Sequence, residues 1–167
     1  MRFVVFACMI TALVSGEAFC SGIVLASPPL VGHMARLGYL VGGTWTCIAK
    51  MPAMNGQRAR TGTGSAVFEV VAGNVLHARA SGGGFAGDQY YGYDGKTQRW
   101  WAAGADNQGQ TSFETSTDAR RYTGAAGGSS PAFISDTYTR ITANRLHIHE
   151  VNGSGPSASY FDSHCAR

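Results

Sequence analysis

From Thr44 onward the chain alternates apolar and polar positions in short runs, and each run is broken by glycine, asparagine or aspartate. Period-two alternation marks a strand with one buried face. Residues 63–71 show it most clearly, with Ala66, Phe68 and Val70 on one face and Ser65, Val67 and Glu69 on the other. After the compact turn Ala72-Gly73-Asn74, residues 75–81 place Leu76, Ala78 and Ala80 opposite Val75, His77 and Arg79. The two segments predict a hairpin. Further strands are predicted over 44–50, 89–93, 98–103, 110–115, 121–124, 134–142, 146–151 and 158–164, separated by a loop over 51–60, the run Gly82-Gly83-Gly84, a loose Ala/Gly/Ser stretch ending at Pro131, and turns at Ala143-Asn144 and Asn152-Gly153. Asp94-Gly95, a pair suited to positive φ, is the strongest local hairpin signal.

Residues 33–40 are the exception, since Met34, Leu37 and Leu40 fall on one side of one or two helical turns that plug or flank the domain. No helical period follows Gly42-Gly43. Eight to ten strands with short links and no crossover helices must pair antiparallel, mostly as a meander. An open sheet of that size leaves two edges exposed, and closure removes them. The expected class is all-β: one antiparallel up-and-down β-barrel with a short N-terminal helix, the alternative being a two-sheet sandwich.

The first residues have a different texture. Arg2 is followed by an almost unbroken apolar run from Phe3 to Val14, which Glu17 ends too soon for a membrane span of about 20 residues. That pattern predicts a signal peptide over 1–26, cleaved after Ala26, a segment with the short helix over 27–42, and the barrel over 43–167; Ala18 is the alternative cleavage site, and Cys20 raises a lipid-modified form as a further one. After removal no transmembrane segment remains, and the expected location is periplasmic or secreted. Only Cys47 and Cys165 survive cleavage after Ala26, and two cysteines in an oxidising compartment predict one disulfide; the alternative is two free buried thiols.

Composition changes the picture by exclusion. A net charge of +3, with Lys50 and Lys96 the only lysines and the arginines scattered, supplies no phosphate-neutralising stripe, so nucleic acid is not an expected partner. No nucleophile elbow, phosphate loop, His-Glu-x-x-His or Cys-x-x-Cys occurs. His147 and His149 share a strand face with Arg145 and Val151, a spacing that can present two imidazoles to a metal; a polar outward face opposite Leu146 and Ile148 is the simpler reading, which Glu150, on the Leu146 side, complicates. Neither metal nor cofactor is expected.

At Leu40-Val41-Gly42-Gly43-Thr44-Trp45 a Gly-x-Trp opens the first strand just after the helical turn, and this resembles the opening of lipocalin-like (calycin) barrels, in particular secreted bacterial ones of unknown function. The resemblance implies that Gly43 permits close approach and that Trp45 packs across the closed end of the barrel. Haem-binding relatives such as the nitrobindins continue with alternating glycines, whereas Thr46-Cys47-Ile48 follows here, so haem chemistry is not carried over. The expected function is binding of a small, partly apolar or aromatic ligand in a barrel cavity by Arg79, Tyr91, Tyr93, Arg140 and His147. The alternatives are a barrel isomerase, cyclase or hydrolase using His77, Arg79 or His147, and a structural envelope module with an exposed aromatic edge near Trp100 or Trp101.

Overall fold

A computed structural model describes residues 28–53, 58–127, 132–155 and 158–167. The predicted signal peptide lies outside them. A 3₁₀ helix, Gly32–Leu40, precedes ten strands: β1 (Thr44–Met51), β2 (Arg60–Val71), β3 (Val75–Gly82), β4 (Phe85–Asp94), β5 (Arg99–Asp106), β6 (Thr111–Ser116), β7 (Arg121–Ala126), β8 (Ala132–Thr142), β9 (Arg145–Asn152) and β10 (Ser159–Ala166). Each pairs antiparallel with its neighbours in sequence, and β1 pairs with β10 to close the barrel. The all-β barrel and the short helix are therefore as expected. The strands run one to four residues beyond most of the sequence boundaries, and β4 starts at Phe85, because pairing with Gly82 extends the glycine-rich hairpin.

The helix is 3₁₀ for a reason visible in its spacing. With three residues per turn, Met34, Leu37 and Leu40 line up on one side, and all three are buried. They sit with Trp45, Phe68, Val70, Leu76 and Trp100 in one apolar cluster at the end of the barrel where β1 begins. Asn74, in the β2–β3 turn, holds the start of the helix by accepting from Val31 N and donating to Val31 O, both at 3.0 Å. At the other end of the helix, Trp45 Nε1 donates to Leu40 O at 2.9 Å. Arg167 lies over the Trp45 ring, 4.5 Å from its centroid, and donates to Val41 O, Gly42 O and Ala143 O. Trp45 thus seals the capped end.

Cys47 and Cys165 face each other across the β1–β10 seam and are bonded, 118 residues apart in sequence. The predicted disulfide exists, and it staples the strand pair that closes the ring. One turn differs from expectation. Gly95 does not have positive φ; Asp94 instead accepts from Lys96 N at 2.9 Å and Thr97 Oγ at 2.8 Å, and the left-handed residue is Gln98, at φ 55°. The aspartate carboxylate organises the turn, which moves the positive φ to the residue just before β5.

Candidate functional site

Strand alternation divides the wall. Trp45, Phe68, Leu76, Tyr91, Trp100 and Leu146 point inward near the capped end and are buried. In the half away from the helix the inward positions mix small or polar residues, Gly64, Ala80, Gly104, Ser112, Ala126 and Asn152, with the apolar Phe85, Ile134 and Phe161. Those first six positions are half-buried. Between the two halves lies a layer that alternation alone does not announce.

That layer is acidic and phenolic. Glu114 on β6, Asp136 on β8 and Glu150 on β9 all face inward, with Asp136 directly opposite Glu150 on one side and Tyr122 on the other. Tyr91, Tyr122 and Tyr138 meet edge to face, with centroids 5.6–6.2 Å apart. Tyr138 Oη lies 2.7 Å from Tyr91 Oη, which donates to Gln89 Oε1 at 2.7 Å, and Gln89 Nε2 donates to Glu114 Oε1 at 3.2 Å. Asn152 Nδ2 donates to Glu150 Oε1. Three atoms of the layer are buried without a partner among the described residues: Glu114 Oε2, Asp136 Oδ1 and the Tyr122 hydroxyl.

The electrostatics follow from burial. Glu114 is fully buried, and loss of solvent, followed by the charge of Glu150, pushes its carboxyl up to about 7. Asp136 is raised well above the usual carboxylate range by burial first, then by Glu150 and Glu114. Burial also raises Glu150, against the hydrogen bond from Asn152. Burial lifts Tyr91, Tyr122 and Tyr138 above the ordinary phenol value as well, so they act as neutral hydrogen-bonding groups. No cation contributes to any of the three carboxyl shifts.

The residues singled out from sequence are dispersed. Tyr91 belongs to the layer just described. Tyr93 points inward at the capped end, where His33 stacks on it at 3.9 Å. Arg140 is on the inward parity of β8 but exposed at the capped rim, with its guanidinium over the Tyr39 ring. Arg79 and His147 lie on the outer wall, on β3 and β9, and do not approach a common site. His77 is also outward, stacked on Tyr90, with its ring nitrogens 3.1 Å from Glu69 and 2.7 Å from Asp88. Trp100 is buried and Trp101 packs against Gly92; the exposed aromatics among the described residues are instead Phe85, Tyr90, Phe113, Phe133 and Tyr160, of which Phe113 and Phe133 flank Ala125 across β6, β7 and β8.

His147 and His149 both contact Asp162 Oδ1 at 2.9 Å, and His147 stacks on its cross-strand partner His164. The hydrogen bond to His149 leads the lowering of the Asp162 carboxyl. Among the described residues no three histidine, cysteine or carboxylate groups are placed to hold one metal ion. Two clefts open on the described surface, one of about 430 Å³ beside the helix between His33, Asn74, Tyr93 and Trp101, the other of about 470 Å³ at the far rim between Met51, Arg60, Asp162 and His164. Both lie outside the lumen wall's acid layer.

Glu114 and Asp136 were not legible as site residues, although a signal exists: Asp136 shares its parity with Ile134 and Tyr138, as Glu150 does with Leu146 and Ile148. No helix among the described residues is long and apolar enough to cross a membrane. No protein-family model matches the chain, and a search of curated proteins finds no match, so the barrel and its acid-and-tyrosine layer are the basis for any functional reading.

Proposed function

We propose that this chain is an exported, lipocalin-like carrier that holds a small, partly apolar molecule in the lumen of its barrel. The observation that carries the reading is the trio Glu114 Oε2, Asp136 Oδ1 and Tyr122 Oη, buried on inward-facing strand positions and without a hydrogen-bond partner among the described residues. A buried polar atom without a partner costs about 1–3 kcal/mol, so three in one layer are retained against a real gradient in stability. A guest that enters from the half away from the helix meets small residues interspersed with the apolar Phe85, Ile134 and Phe161, and this polar layer at the base. That is the usual build of a small-molecule site, an apolar or neutral wall with a few aimed polar groups.

Export is supported by the apolar leader pattern over residues 1–26 and by the Cys47–Cys165 bond, which favours an oxidising compartment. Trp45, buried at the capped end beneath the 3₁₀ helix, and Gly43, at φ 71° just before it, support the lipocalin-like reading. Carriage is tested by native mass spectrometry on protein purified under mild conditions from the organism that makes it. A mass increment lost on denaturation is expected; protein that is always bare, from every growth condition, contradicts carriage.

A further inference from the structure

Resting on the carrier reading, we propose that the group recognised in the guest is an organic cation, a protonated amine or amidine, seated on Glu114, Asp136 and Glu150 with the Tyr122 hydroxyl. The three carboxyls come from separate strands and face one lumen, and the one side chain between Glu114 and Asp136 across β7 is Tyr122, because position 124 is glycine. The unpartnered atoms define what is missing. Two are carboxyl oxygens, which accept once the carboxyl is ionised, and the third is a hydroxyl that both donates and accepts. An ammonium brings three donors and an amidinium four, arranged to meet several acceptors at once. Nearby phenol rings, Tyr91, Tyr122 and Tyr138, add faces that attract a cation.

Other guests fit less well. An anion would enter a site whose ionisable groups are all acids, and a neutral molecule draws no charge-assisted bond from a carboxyl that gives up its proton. A bare metal ion requires its donors to converge on one point, which these do not do. An ammonium or amidinium needs only one or two of the acids within hydrogen-bonding reach, the rest of the molecule filling the space between the others. The groups facing the site are Glu114, Asp136, Glu150, Tyr91, Tyr122 and Tyr138, with Gln89 and Asn152 neutral beside them. Since burial holds protons on the carboxyls, a cation binds by displacing one. Affinity then rises with pH, by roughly tenfold per unit below the carboxyl's own value for each proton released.

The test is calorimetric titration of the full mature protein, stripped of any guest, with 2-phenylethylamine, its neutral counterpart 2-phenylethanol, its anionic counterpart 3-phenylpropanoate, and calcium chloride. Saturable binding of the amine alone, tightening from acid to neutral pH with proton release in buffers of different ionisation enthalpy, is the expected result. Glu150→Gln and Tyr122→Phe should each weaken it at least severalfold while circular dichroism shows the barrel intact. Preference for the alcohol or the carboxylate, or an affinity indifferent to pH, overturns the cation while leaving the carrier standing. Tight calcium binding replaces an organic cation with a metal and overturns it equally. If no probe binds, a neutral or anionic guest in the host-purified protein refutes the cation alone, whereas an empty host-purified protein refutes both readings.

Discussion

At Tyr122 a single hydroxyl separates stability from function. The ring packs against Tyr91 and Tyr138 whether or not the oxygen is present, and the oxygen itself has no partner among the described residues. Tyr122→Phe is therefore expected to raise the stability of the empty protein by up to about 1 kcal/mol, read from a denaturant midpoint, while weakening the guest binding proposed above. A purely structural tyrosine gives the opposite sign. Arg167 supplies the contrasting case, because its guanidinium covers Trp45 and ties two carbonyls beyond the helix to the Ala143 turn. Arg167→Ala should lower stability by about 1–2 kcal/mol, again by denaturant unfolding, with no effect on the lumen's choice of guest.

The strands were legible because their inward faces are apolar where the core is densest, as in Phe68/Val70 and Leu76/Ala78. The site was not, because its strands reverse that pattern. In β6 Phe113 points out and Glu114 in, and in β8 Phe133 points out while Asp136 is buried. Hydrophobicity read along Thr-Ser-Phe-Glu-Thr-Ser assigns the wrong face, and only the pairing register corrects it. Conversely, Arg79 and His147 were plausible lumen residues by type, yet both lie on outer parity.

Close strand approach is equally hidden from composition. A Cβ on Gly124 would come within 2.0 Å of Phe113 O and 2.7 Å of the Glu114 Cα, so the glycine is needed where β6 and β7 coil together beside the site. Gly124→Ala should destabilise by about 1–3 kcal/mol and distort the seat of Glu114, measured by thermal unfolding. For the seam, Cys47 joins Cys165 where first and last strands meet, and closes a loop spanning most of the barrel. Reduction is expected to cost about 2–5 kcal/mol, seen as a lower melting temperature in reductant and absent from a Cys47→Ser/Cys165→Ser double variant.

For the whole molecule, the acid layer sets how the empty protein responds to pH. Glu114 titrates near 4.5 when unfolded and about 7 when folded. Between those values the folded state holds more protons than the unfolded one, so stability falls as pH rises; the favourable contribution is complete below the lower value and lost above the upper. Asp136 and Glu150, raised in the same direction, extend the trend. Asp162, lowered by its histidine partners, has the opposite sign and loses its contribution only in acid below the carboxylate range. The melting temperature of empty protein should drop from mildly acid to neutral pH, and Glu114→Gln should flatten the profile.

The proposed carriage rests on inward carboxyls of which Glu114 Oε2 and Asp136 Oδ1 have no partner among the described residues. The most direct test is the electron density inside protein crystallised as purified from its own organism. Guest atoms within hydrogen-bonding distance of Glu114, Asp136 or Tyr122 are the predicted result. A lumen filled by side chains, or ordered water alone on those three groups, contradicts a carrier.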